Sequence, residues 1–253
     1  MRLLGKVAVI TGSSSGIGEA IARRFAQEGA RVVVNSYLPE PTEQVAKDLD
    51  RQGYEAMAVI ADVTRKADAE RLVAASLERW GALDILVNNA GVASIISTEE
   101  CSEEEWRRVL DINLTGVFLC SQAAAQIMLP RGQGSIVNTA SVFGPLGVPR
   151  RAAYCASKAG VIGLTKALAV EWAGRGVRVN AINPGYVRTT IDTGTVDIRD
   201  YSDADVQRRT PLGRYGRVDE LAAAALFLAS GESSYLTGAV LNVDGGWSAY
   251  GGW

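Results

Sequence analysis

Tyr154 and Lys158 stand four residues apart in Tyr154-Cys155-Ala156-Ser157-Lys158, near the start of a stretch, residues 152–172, that reads as a helix. That spacing puts a phenol and an ammonium on one helix face. A phenol with its ordinary pKa near 10 is a poor acid–base group at neutral pH, and bringing it to about 7 takes roughly 4 kcal/mol in favour of the phenolate. One cation about 4 Å away, at an effective dielectric near 20, supplies that order of energy. Ser141 ends an apolar run ahead of this helix, where its hydroxyl can donate to a substrate oxygen. Asn113 lies in Asp111-Ile112-Asn113-Leu114, within a helical pattern in which asparagine is a poor former, so a functional reason for it is expected. The chain has no histidine. Serine–histidine triads, histidine-ligated metals and imidazole proton shuttles are thereby excluded, and acid–base chemistry falls to Tyr, Lys, Asp, Glu or Cys.

A second group of residues points to a phosphate. Thr11-Gly12-Ser13-Ser14-Ser15-Gly16-Ile17-Gly18 lies between an apolar run and an amphipathic stretch in which Ile17, Ile21 and Phe25 keep helical spacing. The glycines permit a tight turn and close backbone approach, and the following helix offers unpaired N–H groups and its positive dipole end. The Gly-x3-Gly-x-Gly spacing differs from the commoner Gly-x-Gly-x-x-Gly, but strand before and helix after make a dinucleotide site the expectation.

These residues need elements to hold them. Short apolar, β-branched runs recur at residues 7–11, 31–35, 56–61, 84–88, 135–140, 177–183 and 239–243, with helical periodicity between them. Such runs suit strands buried on both faces and joined by helical crossovers, which predicts one α/β, Rossmann-like, doubly wound domain over residues 1–253 with a seven-stranded parallel sheet. Polar and glycine residues follow each run, where ligands of open parallel sheets sit. The chain has 253 residues, with 26 Lys and Arg against 28 Asp and Glu, a net charge of −2 that invites neither nucleic acid nor an anionic membrane. Cys101, Cys120 and Cys155 have no metal-site or disulfide spacing, and residues 7–10 are too short for a signal peptide, so a cytoplasmic protein without a metal is expected.

The ordered set TGSSSGIG, Asp62-Val63, NNAG, Asn113, Ser141, YCASK and NPGYVRT, spread over the whole chain, resembles the short-chain dehydrogenase/reductase family. The resemblance implies a hydride transfer between a nicotinamide and a carbonyl or carbinol carbon. Tyr154 would pass the proton, Lys158 would lower its pKa and hold the nicotinamide ribose, Ser141 would polarise the carbonyl, and Asn113 would support a proton relay to Lys158. It also implies that Gly12, Ser14, Ser15, Ile17 and Gly18 line the pyrophosphate turn, that Ser36 and Tyr37 stand at the adenine-side ribose, that Asp62 and Val63 meet the adenine, and that Asn89 lies near that ribose. Pro184, Val187 and Thr189 would meet the nicotinamide end.

Cofactor choice turns on the end of the second run. An acid there binds the ribose 2′-OH and repels a 2′-phosphate. Here the position is Ser36, and neither Ser15, Tyr37 nor Leu38 is basic, so the reading is NADP(H) or NAD(H), leaning to NADP(H). Residues 189–215 read as a substrate lid. Ser94, Ser141, Val142, Phe143, Val148, Tyr154, Tyr186 and Asp192 are candidate pocket residues, and the resemblance leans to sugar and polyol dehydrogenases. The alternatives are a 3-oxoacyl-[acyl-carrier-protein] reductase or general carbonyl reductase, for which Arg150, Arg151, Arg175 and Arg178 would form the basic face, and a dinucleotide-binding regulator without activity. Family members are commonly dimers or tetramers. A homotetramer is expected, with the aromatic tail from Trp247 to Trp253 near a neighbouring subunit's substrate entrance.

Overall fold

Strand β1, Val7–Ile10, is followed by helix α1, Gly16–Gln27, and β2, Arg31–Ser36, by α2, Pro39–Arg51. β3, Ala56–Ile60, leads to α3, Lys66–Trp80, and β4, Ile85–Asn88, to α4, Glu103–Leu110. A π-helical turn, Asp111–Thr115, joins α4 to α5, Gly116–Arg131, and β5, Gly134–Thr139, precedes α6, Ala152–Trp172. β6, Val177–Pro184, α7, Asp203–Arg209, α8, Val218–Ala229, and β7, Val240–Val243, complete the chain. The structure is a computed structural model and describes residues 1–189 and 201–251.

All seven strands are parallel and lie in the order β3-β2-β1-β4-β5-β6-β7. Both faces are covered, as the uninterrupted apolar runs require. Ala8 and Ile10 of β1 face the side packed by Ile21 and Phe25 of α1, Leu49 of α2 and Leu226 of α8. Val9, one residue out of phase, faces Leu72 of α3, Cys120 and Met128 of α5 and Trp172 of α6. Period-two alternation therefore sorts each strand's side chains into two cores, and each fully buried large side chain, such as Phe25 or Ile10, contributes about 1.5–3 kcal/mol.

Strand order reverses between β1 and β4, and that switch point is where a crevice opens in a doubly wound sheet. Below it, a buried polar ladder ties strands to helices: Asn88 donates to Ser121 and Asn138, and Asn138 donates to Thr165, each at 2.9 Å. Among the described residues, the helical run Glu103–Arg131 has the length and hydropathy to cross a bilayer, and half of its most apolar window is buried in the protein.

Candidate active site

The turn after β1 is locked from two sides. The Ser13 hydroxyl, fully buried, donates to the Ile10 carbonyl at 2.7 Å and accepts from the Asn35 backbone N–H of β2 at 2.9 Å. Across the switch point, the Thr11 hydroxyl accepts from the backbone N–H groups of Asn89 and Ala90 at 3.0 and 3.1 Å. The Asn89 amide donates back to the Thr11 and Gly12 carbonyls at 3.2 and 3.0 Å. Asn89 thus braces the turn. Gly12 has φ +60°, and a Cβ there would lie 2.7 Å from Ala90 Cα, so glycine is required both for conformation and for space. A Cβ on Gly18 would fall 2.3 Å from the Gly12 carbonyl oxygen. Ser15 caps α1 without a side-chain hydrogen bond to it, which leaves the first N–H groups of a 12-residue helix directed at the crevice. Thr189, beyond β6, returns to within 3.7 Å of the position a Gly16 side chain would take.

At the end of β2, the Ser36 hydroxyl is buried and accepts from the Leu38 N–H at 3.0 Å, whereas Tyr37 is exposed. Asp62 accepts from the Thr64 backbone and hydroxyl, and Val63 packs on Gly116. Pro184 ends β6, and Val187 is buried and bridges to Gly216.

Asn113, expected in an ordinary helix, sits fully buried in the π turn. Its amide accepts from the Val92 N–H at 2.8 Å and donates to the Val92 carbonyl at 2.9 Å and the Ser157 hydroxyl at 3.1 Å. Ser157 in turn donates to the Tyr154 carbonyl at 2.7 Å, so one asparagine fixes the loop after β4 against the second turn of α6. A π turn at a functional site is a recurring device for aiming such a residue. The Lys158 ammonium donates to the Thr139 carbonyl at the end of β5, at 2.8 Å, and lies 5.8 Å from the Tyr154 ring centroid. Ser141 is buried, accepts from the Phe143 N–H at 3.2 Å and lies close enough to the Tyr154 phenol to draw its pKa down.

Electrostatics here differ from the arithmetic of one cation beside one phenol. Burial pushes the Tyr154 pKa up, with Ser141 and then Arg151 pulling it down. Burial likewise lowers Lys158, to about 8. The ammonium is drawn to Thr139, so Lys158 is not what lowers the phenol in this state.

Phe143, Tyr186 and Ser141 stand together on the carboxyl side of β5 and β6. Tyr186 is ringed by Phe143, Tyr201, Tyr215 and Trp247 at centroid distances of 5.7, 5.8, 6.2 and 4.9 Å. Arg151 donates to the Tyr201 hydroxyl at 2.9 Å, and the Tyr186 and Tyr201 hydroxyls are hydrogen-bonded. Tyr201, Tyr215 and this role of Arg151 carry no local sequence signal. They meet Tyr186 only through folding. Ser94 is buried near Glu105 of α4, whose pKa it helps to lower, and is in none of these wall contacts. Asp192 lies outside the described residues. The described part of the tail packs on its own subunit: Trp247 against Tyr186, and Arg209 over the Trp247 and Tyr250 rings. Arg178, a candidate for a basic face, points instead into the carbonyls of Leu228 and Ser230 and the hydroxyl of Ser233.

Residues 12–248 match the family model described as enoyl-(acyl carrier protein) reductase. The chain is 42% identical over 246 residues to the 3-oxoacyl-[acyl-carrier-protein] reductase of Thermotoga maritima, covering 97% of this chain and 99% of that protein. It is 44% identical over 249 residues to the D-threitol dehydrogenase of Mycolicibacterium smegmatis, covering 98% and 94%. Among solved structures, the gluconate 5-dehydrogenase of Burkholderia cenocepacia in complex with NADP and tartrate superposes with a TM-score of 0.93 at 39% identity, covering 98% and 97%. The chain belongs to the short-chain dehydrogenase/reductase family. It is an NAD(P)-dependent oxidoreductase that moves a hydride between the nicotinamide and the carbon of a secondary alcohol or ketone.

Because the folded-state pKa of Lys158, about 8, is below its ordinary 10.5, unfolding takes up a proton between these values. The contribution of this group to stability is complete above about pH 10.5 and is lost as the pH falls through about 8. In the ligand-free protein, NMR titration of the lysine side chains should find one midpoint near pH 8 that is missing from Lys158→Met. Lysine midpoints all above 10 would contradict this assignment.

Proposed function

We propose that this chain is an NADP(H)-preferring dehydrogenase of sugars or polyols in which Asn113, Ser141, Tyr154 and Lys158 carry the chemistry. The observation that carries the reading is the wall beside Ser141 and Tyr154, where the Tyr186 and Tyr201 hydroxyls and Arg151 offer hydrogen-bonding groups on an aromatic surface. Such a wall suits a substrate with several hydroxyls. A 3-oxoacyl carrier-protein reductase would need a basic face, and Arg178 is engaged inside the protein.

The residues fit a dinucleotide. The glycine cradle with Ser14, Ser15, Ile17 and the α1 N-terminus would hold the pyrophosphate, with Asn89 as its brace. Ser36 and Tyr37 would stand at the adenine-side ribose, Asp62 and Val63 at the adenine, Lys158 at the other ribose, and Pro184, Val187 and Thr189 at the nicotinamide. When bound, the nicotinamide supplies or accepts the hydride. In oxidation Tyr154 takes the proton from the substrate hydroxyl, and in reduction it returns one, while Ser141 donates to the same oxygen and stabilises its developing charge. The Asn113 amide is committed to Val92 and Ser157, so any relay through this residue runs by its backbone carbonyl. Of the expected lid, residues 189–215, positions 190–200 lie outside the described residues; Tyr201 and Tyr215 from its described part stand against Tyr186. NADP(H) follows from Ser36, which offers no carboxylate to repel a 2′-phosphate, and the gluconate 5-dehydrogenase neighbour holds NADP.

We also propose a cytoplasmic homotetramer. Helices α5 and α6 carry few charges, and Phe118 and Val170 lie on their exposed sides. Exposed helix faces low in charge and carrying large apolar side chains suit a subunit contact.

An initial-rate screen crossing NAD and NADP with polyols, sugars, simple ketones and acetoacetyl thioester tests the substrate class. Tyr154→Phe should lose about 10²–10⁴-fold in turnover while still binding dinucleotide. Retention of more than about a tenth of the rate would remove Tyr154 from proton transfer, and turnover of the thioester alone would retire the polyol reading. Ser36→Asp should move preference towards NAD, and an unchanged cofactor ratio would place the ribose elsewhere. Sedimentation equilibrium should give four times the chain mass; a monomer would refute the assembly.

A further inference from the structure

Several arginines border the aromatic wall, and most are neutralised or bound within the protein. Arg188 pairs with Asp203 at 3.1 Å and lies over Tyr215. Arg214 pairs with Glu220 at 2.7 Å. Arg209 donates to the carbonyls of Trp247 and Tyr250. Arg151 differs. Its guanidinium donates to the Tyr201 hydroxyl at 2.9 Å and lies 5.9 Å from the Phe143 ring centroid. Among the described residues it makes no ion pair and finds no other protein acceptor, although a guanidinium carries five N–H donors.

Its position makes this unusual. Arg151 is the N-cap residue of α6, where a cation opposes the helix dipole and where a side chain that accepts hydrogen bonds is preferred. It is half-buried and close enough to both Tyr154 and Tyr186 for its charge to favour their ionised forms. A cation without a counter-charge among the described residues, beside the Tyr154 phenol and pinned by a tyrosine and a phenylalanine face, is shaped for an anion that arrives with the substrate.

We propose that Arg151 binds a carboxylate borne by the substrate, away from the reacting carbinol carbon, so that this chain favours polyhydroxy acids over neutral polyols. The proposal rests on the polyol reading of the site. The substrate is then held at two ends: its reacting oxygen on Ser141 and Tyr154, and its carboxylate on Arg151. Tyr201 fixes the guanidinium so that its remaining N–H groups meet the carboxylate. A neutral polyol leaves the half-buried cation uncompensated, which is the basis of the discrimination.

The test compares gluconate with glucitol, matched in carbon number, under NADP and NAD. The wild-type protein should favour gluconate in kcat/KM. Arg151→Met should lower the gluconate-to-glucitol ratio of kcat/KM by about 10- to 100-fold, chiefly through KM for gluconate. Arg151→Gln, which keeps a donor for Tyr201 without the charge, should lose the ratio as well, and Arg151→Lys should restore part of it. A wild-type ratio near one, or a ratio unchanged in Arg151→Met and Arg151→Gln, overturns the proposal while leaving the polyol reading in place if glucitol is turned over. Turnover of acetoacetyl thioester with neither gluconate nor glucitol would remove the polyol reading, and this proposal with it.

Discussion

An ammonium buried at the carboxyl end of a parallel sheet is the constraint around which the candidate site is arranged. No carboxylate among the described residues pairs with Lys158, and its desolvation is offset by one hydrogen bond, to the Thr139 carbonyl. That bond exists only if β5 ends where it does and α6 begins at the right height above it. The height of α6 is set by Ser157 and Asn113, and Asn113 is set by the loop after β4. A single buried charge therefore couples two strand ends, a helix start and an irregular turn. Loss of any of them would leave a cation stranded in a medium that penalises it by several kcal/mol.

Much of the scaffold was legible from residue order. Strands buried on both faces must be apolar at consecutive positions, and runs such as Arg31-Val32-Val33-Val34-Asn35 meet that demand without help from distant residues. The long helix carrying Tyr154 and Lys158 was equally plain, as was the glycine turn, because each is specified by neighbours in sequence. The path of Lys158 was not. Four-residue spacing puts the ammonium and the phenol on one helix face, but a carbonyl nineteen residues upstream draws the ammonium aside. The same holds for Asn113. Its oddity in a helical pattern was visible, yet the π geometry depends on partners 21 and 44 residues away.

The substrate side was the least legible part, for a physical reason. Tyr186 follows β6, Phe143 follows β5, Tyr201 and Tyr215 flank α7, and Trp247 follows β7. Four chain segments meet at one ring, and no local pattern marks a contact among loops. This division matches the comparisons. Relatives of nearly equal identity carry names as different as 3-oxoacyl reductase and threitol dehydrogenase. The sheet and the glycine turn are written in local sequence, whereas the loops around Tyr186 are assembled from distant segments. Arg178 makes the point from the other side: a basic residue that reads as surface in sequence closes the seam between β6 and the end of α8.

The π turn between α4 and α5 has a consequence for how this chain can change over time. It accommodates one residue more than a regular helix would, and each residue turns an α-helix by about 100°. Deleting a position of this turn other than Asn113 would mend the helix and raise its local regularity, yet would break the alignment that lets the asparagine meet both Val92 and Ser157. Helix-forming tendency and site geometry therefore favour different lengths for the same five residues. Mutation can replace side chains on the outer surface of this turn, but it cannot shorten the turn. The register of the two helices is therefore fixed as a unit by the buried asparagine.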